Sequence, residues 1–154
     1  MEVVIQLQNQ FVGFMNSLYS EGFLDDQFLQ LQKLQDETNP DFVVEVVSLF
    51  FKDSEILLQK MANCFQQQFV DFEQVDAHVH QLKGSSSSIG AQRVKNACIS
   101  FAKQCEKSPD RYMRCLLQLN REYIDVRNKL QALITLERQI LAAGGTVPVL
   151  SCTR

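Results

Sequence analysis

The chain of 154 residues has no tryptophan, three prolines and six glycines. So few breakers leave little room for the closely spaced turns of an all-β fold, and long helices are expected instead. No Cys-x-x-Cys pair occurs among the five cysteines at 64, 98, 105, 115 and 152. Their odd number and their spacing suit neither a structural zinc site nor a closed disulfide framework. They are expected to be reduced thiols of a cytosolic or nuclear protein, mostly serving as small core residues. Residues 3–20 carry no charge and the first basic residue is Lys33, so no signal or transit peptide is expected. Gln6, Gln8, Asn9, Gln10 and Asn16 interrupt that same stretch and make it a poor membrane span.

Apolar residues make up 45% of the chain and charged residues 21%, the proportions of an ordinary folded protein. The length fits one domain, which can bury about two-thirds of its unfolded surface without help from a metal. The net charge of −3 conceals a segregation: residues 1–82 hold thirteen acids and three bases, residues 83–154 five acids and twelve bases. An acidic half packed on a basic half would produce this, and so would a basic surface that meets an acidic protein partner. A sequence pI near 5.4 argues against nucleic acid as that partner.

Hydrophobic spacing divides the chain into six helices and no strand. Val4, Leu7, Phe11, Phe14 and Leu18 recur at three- and four-residue steps, with Gly22 as the stop. Asp25 or Asp26 can cap a short second helix bearing Phe28, Leu31 and Leu34. Asn39-Pro40-Asp41 predicts a third helix with Asn39 as N-cap and Pro40 in the first helical position. It presents Val43, Val46, Val47, Phe50, Leu57, Met61 and Phe65, and a turn follows near 66–70. A fourth helix runs from about Asp71 into the serine run, and a fifth carries Val94, Ala97, Cys98, Phe101 and Cys105. Ser108-Pro109-Asp110 repeats the start signal for a sixth. There Tyr112, Leu116, Leu119, Tyr123, Val126, Leu130, Leu133, Glu137 and Ile140 form a heptad-like stripe broken only by Glu137, and Gly144-Gly145 closes it. The expected architecture is all-α: residues 40–143 form an antiparallel four-helix bundle, the two helices of 1–36 pack on it, and 144–154 is a flexible, frayed tail.

Both histidines lie in Val75-Asp76-Ala77-His78-Val79-His80-Gln81-Leu82-Lys83-Gly84. On a helix they sit about 200° apart, so they cannot share a metal or a task. With His80 at zero, Val75, Val79, Leu82 and Ile89 span about 180–260° and define the buried face. His80 then faces solvent, while His78 borders the core. Lys83, Gly84 and Ser87 follow at i+3, i+4 and i+7 on the face of His80, with Asp76 at i−4 as a possible tuning partner. A helical glycine costs about 1 kcal/mol relative to alanine, and next to an exposed histidine it clears room for another protein. Lys83 is a mobile cation able to meet a phosphate or an acidic partner. Taken alone, such a face is more often that of an ordinary surface histidine.

The string His80-Gln81-Leu82-Lys83-Gly84-Ser85-Ser86-Ser87-Ser88-Ile89-Gly90-Ala91 closely resembles the signature of plant histidine-containing phosphotransfer (HPt) proteins, which relay phosphate in cytokinin signalling. The resemblance extends to Gln30-Leu31-Gln32, Asn39-Pro40-Asp41-Phe42 and the long last helix. It implies that His80 is the phosphorylated residue; some members replace it and act as inhibitors, whereas this chain retains it. The phosphoryl group would come from a receiver-domain aspartate of a sensor histidine kinase and pass to a response-regulator aspartate. Lys83 would offset phosphate charge, Gly84 would admit the receiver, and Gln81 and Ser87 would border the contact. Arg93 and Lys95, which open the fifth helix, are possible docking residues. The resemblance further implies no cofactor or metal of the chain's own, with Mg2+ on the partner receiver, a monomeric state, and residence in cytoplasm and nucleus. The alternative within the same resemblance is a module that docks receivers and sequesters them without efficient transfer. Lys83-Gly84-Ser85 lacks the upstream glycine of a P-loop and no kinase motif set is present, so autonomous kinase or phosphatase activity is not expected.

Overall fold

Six helices follow one another in the computed structural model, which describes residues 2–104 and 106–149: α1 (Glu2–Ser20), α2 (Asp26–Leu34), α3 (Phe42–Cys64), α4 (Phe72–Ile89), α5 (Gln92–Ala102) and α6 (Pro109–Ala142). Among the described residues the only β-type pairing is an isolated bridge between Leu24 and Ala91. Short connections reverse the chain between α3, α4, α5 and α6, which close into a four-helix bundle. α1 packs on α6, and α2 on α3 and α4.

The stripe of α6 is the spine of the core. All nine of its expected positions, Glu137 included, are buried, and Ile134 joins them. Two of its tyrosines carry polar anchors into neighbouring helices. Tyr123 donates to Glu55 of α3 at 2.6 Å, and Tyr112 donates to Asp76 of α4 at 2.9 Å. Tyr112 also meets Phe72 and Phe101 edge-on, with ring centroids 4.7 and 5.2 Å away. Edge-to-face contacts of this kind add about 0.5–1.5 kcal/mol beyond the area they bury.

Side-chain caps form where short polar residues precede the first turn. Asp25 accepts from the Gln27 N–H, Asp71 from that of Gln74 and Ser108 from that of Arg111, with Pro109 in the first turn of α6. The expected cap at Asn39 does not form, and α3 begins at Phe42 with no side-chain cap. Asn39 Oδ1 instead accepts from the Asp36 N–H, while Asp36 Oδ1 accepts from the N–H groups of Thr38 and Asn39. This local turn consumes the capping group, and Gln35 Oε1 serves the Val43 N–H in its place. In α2 the second buried residue is Leu29, whereas Leu34 is 60% exposed.

Cys64 and Cys98 are buried thiols and Cys115 is half-buried, all three free. Cys105, expected on α5, and Cys152 lie outside the described residues. Residues 145–149 are not helical, but they are not detached: Gln8 Nε2 donates to the Thr146 carbonyl at 2.8 Å and Val147 packs against the core. The rest of the segment read as a tail, 150–154, lies outside the described residues.

Candidate functional site

The buried face of α4 consists of Val75, Val79, Leu82, Ser86 and Ile89, at alternating steps of four and three. Each such aliphatic side chain, fully buried, contributes about 1.5–3 kcal/mol, so the rotation of α4 about its axis is firmly set. His80 therefore points to solvent and is exposed, as are Gln81 and Gly84. His78 is half-buried on the flank towards α3, beside Lys60, Cys64 and Gln74. The two imidazoles face apart. Among the described residues no three His, Cys, Asp or Glu side chains gather into a potential metal site.

Gly84 has open space where a Cβ would stand, with nothing within 4 Å beyond its chain neighbours and its own helix backbone. No internal contact requires glycine there, although the helix is weakened by it. Gly90 is the opposite case. It ends α4 at φ +82°, and a Cβ would lie 2.6 Å from both Asp25 Oδ1 and the Phe28 nitrogen. Its carbonyl accepts from the Asp25 N–H, and the Phe23 carbonyl accepts from the Gln92 N–H. The end of the motif is thus structural: it fastens the α4–α5 turn to the α1–α2 turn.

Of the four serines, Ser86 is buried, Ser85 and Ser87 are half-buried, and the exposed Ser88 donates to the Ser85 carbonyl at 2.8 Å. Only Ser87 shares the side of His80, one further turn along from Gly84. Lys83 is half-buried towards α5, and its ammonium is close enough to bias the Cys98 thiol. Burial pushes that thiol up to about 12, with Lys83 pulling slightly the other way, so Cys98 stays protonated and unreactive.

Two residues have partners that helical spacing alone does not reveal. Asp76, four residues before His80, is turned to α6: Oδ1 accepts from Tyr112 and Oδ2 lies 3.8 Å from Lys107 Nζ. Both oxygens are engaged away from the histidine, so Asp76 is an anchor of α4 and not a tuning partner for His80. Arg93 donates from Nε and Nη2 to the Glu21 carbonyl at 3.1 and 2.7 Å, and its guanidinium stacks 3.9 Å above the Phe23 ring. Its planar fork is committed to holding the α1–α2 turn. Lys95 is half-buried, with no ion pair among the described residues. No helix among the described residues is long and apolar enough to cross a membrane.

The geometry is a single exposed histidine on a rigid bundle helix, flanked by a lysine and a glycine. Residues 45–136 match the family model for the Hpt domain. Over 146 residues the chain is 55% identical to histidine-containing phosphotransfer protein 1 of Arabidopsis thaliana, covering 94% of this chain and 95% of that one. It is 56% identical over 148 residues to histidine-containing phosphotransfer protein 5 of the same plant, covering 95% and 94%. A solved structure of a histidine-containing phosphotransfer protein from Medicago truncatula superposes with a TM-score of 0.85 at 48% identity, over 91% of this chain and 96% of that one. The chain belongs to the plant histidine-containing phosphotransfer proteins, the Hpt-domain mediators of two-component signalling.

Proposed function

We propose that this protein relays a phosphoryl group through His80, from a receiver-domain aspartate of a hybrid sensor histidine kinase to a response-regulator aspartate, in cytokinin signalling. The observation that carries the reading is the rotation of α4: five buried positions on one side leave His80 exposed on the other, with open space at Gly84. An imidazole nitrogen attacks the phosphorus of the acyl phosphate in line. An N–P bond forms, the P–O bond to the aspartate breaks, and the carboxylate leaves; the onward step reverses this on a second receiver. In-line attack requires a ring that protrudes from a rigid element into the partner's pocket. A packed bundle helix supplies that rigidity.

Lys83 offsets charge on the transferred group, and Gln81 and Ser87 border the contact. Lys95 contributes to docking from α5, while Arg93 reaches a partner only by the edge of a guanidinium already engaged. Mg2+ belongs to the receiver, and this chain brings no cofactor. It acts stoichiometrically, as a monomer, in cytoplasm and nucleus, without kinase or phosphatase turnover of its own; its partners are receiver domains and not nucleic acid or membrane. The test is transfer of label from a phosphorylated receiver of a cytokinin-responsive kinase, with Mg2+, to the wild type and to His80→Gln. Acid-labile label on the wild type alone supports the relay. Equal labelling of both, or of neither, overturns it.

A further inference from the structure

Glu137 is the one carboxyl-bearing residue in the buried stripe of α6, 5% exposed and with no hydrogen bond or ion pair to any described residue. It lines a groove of about 380 Å³ between the C-terminal part of α6, the α2–α3 connection and the segment after Gly145. Val44, Leu141, Val147 and Pro148 supply apolar walls, and no residue of α4 takes part, so the groove is separate from the face of His80. The charged groups that line it are Asp36, Glu37 and Asp41 on the α2–α3 connection and Arg138 beside Glu137 on α6. Hydrogen bonds from the Thr38 hydroxyl and N–H hold Asp36 below the usual carboxylate range, so that side of the groove stays negative. A buried carboxyl with no partner among the described residues favours a cation beside its ionised form, and the walls suit an apolar body attached to that cation.

We propose that this groove binds a small organic amine, an ammonium carried on an apolar body, with Glu137 as its counterion. Burial lifts the Glu137 carboxyl to about 7, so near neutrality a fraction of it carries a proton. An arriving ammonium stabilises the carboxylate and expels that proton to solvent, with no bond made or broken besides the O–H. Binding therefore tightens as pH rises, because the carboxylate is the form that pairs.

The test is titration calorimetry of the full chain with phenethylamine, whose ammonium stays protonated through neutral pH, beside phenethyl alcohol as its uncharged counterpart. The amine is expected to bind with Kd below about 1 mM and at least about tenfold more tightly than the alcohol. Its affinity should rise between about pH 6 and about pH 8, and the heat should vary with the ionisation enthalpy of the buffer as protons are released. Glu137→Gln should remove the advantage of the amine and leave the alcohol unchanged. Should that variant fail to fold, the amine–alcohol comparison and the proton release in the wild type still decide. An amine that binds no better than the alcohol, an affinity indifferent to pH, or no binding of either ligand overturns the proposal.

Discussion

Tyr112 of α6 donates its hydroxyl hydrogen to Asp76 of α4 across 2.9 Å, one helical turn before His80. The bond joins the spine of the bundle to the helix that displays the histidine, and it commits the carboxylate nearest in sequence to a structural task. His80 is left with its ring in solvent, and no carboxylate among the described residues pairs with it. The proposed role of His80 as phosphate acceptor is served by that, because a neighbouring negative charge would repel the incoming group.

Tyr112→Phe should therefore destabilise the protein by about 1 kcal/mol, since it removes one hydrogen bond and keeps the ring contacts with Phe72 and Phe101. Urea unfolding reads the loss. Phosphotransfer through His80 should persist within about twofold, because the bond positions α4 without touching the reacting atoms.

Glycines 84 and 90 should respond in opposite directions. Gly84→Ala places its methyl in open space and should stabilise α4 by up to about 1 kcal/mol, while slowing transfer from a receiver by roughly tenfold or more through displacement of the partner. Gly90→Ala combines a left-handed backbone with a collision at Asp25 and Phe28, and should cost at least about 2 kcal/mol. Thermal melts of the two variants, beside transfer rates for the first, separate the glycine proposed to face the partner from the structural one.

Arg93→Ala removes two hydrogen bonds to the Glu21 carbonyl and the stack on Phe23, and should cost about 1–2 kcal/mol after allowance for its partial exposure. Hydrogen exchange should speed up at the amides of Asp25 and Gln92, which bridge the two turns that Arg93 helps to hold.

Glu137 should make stability depend on pH. Its carboxyl is raised from an ordinary value of 4.5 to about 7 by burial, so the folded state holds the proton more tightly than the unfolded chain does. The contribution is fully present below about pH 4.5 and is lost as pH rises through about 7, amounting to about 3 kcal/mol over that window. Urea unfolding at a series of pH values should show stability falling over this range, and Glu137→Gln should flatten the slope.

Local spacing makes much of this fold legible. The stripe from Tyr112 to Ile140 is buried at every expected position, because a long helix against one core admits a single face. The exposure of His80 follows from the same periodicity applied to Val75, Val79, Leu82 and Ile89. What local spacing omits are contacts made at a distance. The partner of Asp76 is 36 residues away, and the carbonyl that occupies Arg93 is 72 residues away. The start of α3 is misplaced for a different reason: Asn39 is a good cap by type, but Asp36, three residues earlier, competes for it. Glu137 does leave a trace in the sequence, as the single charge in an apolar stripe, and its groove is formed only when the α2–α3 connection and the segment after Gly145 fold against α6.

Setting the two histidines against each other tests most directly whether His80 carries the phosphoryl group. The chain is phosphorylated by a receiver domain, and the site is read by phosphorus NMR and by peptide mapping in the wild type, His78→Gln and His80→Gln. One phosphoramidate is expected, on His80, kept in His78→Gln and absent from His80→Gln. A phosphoramidate that survives in His80→Gln, or that is lost with His78, would contradict that assignment.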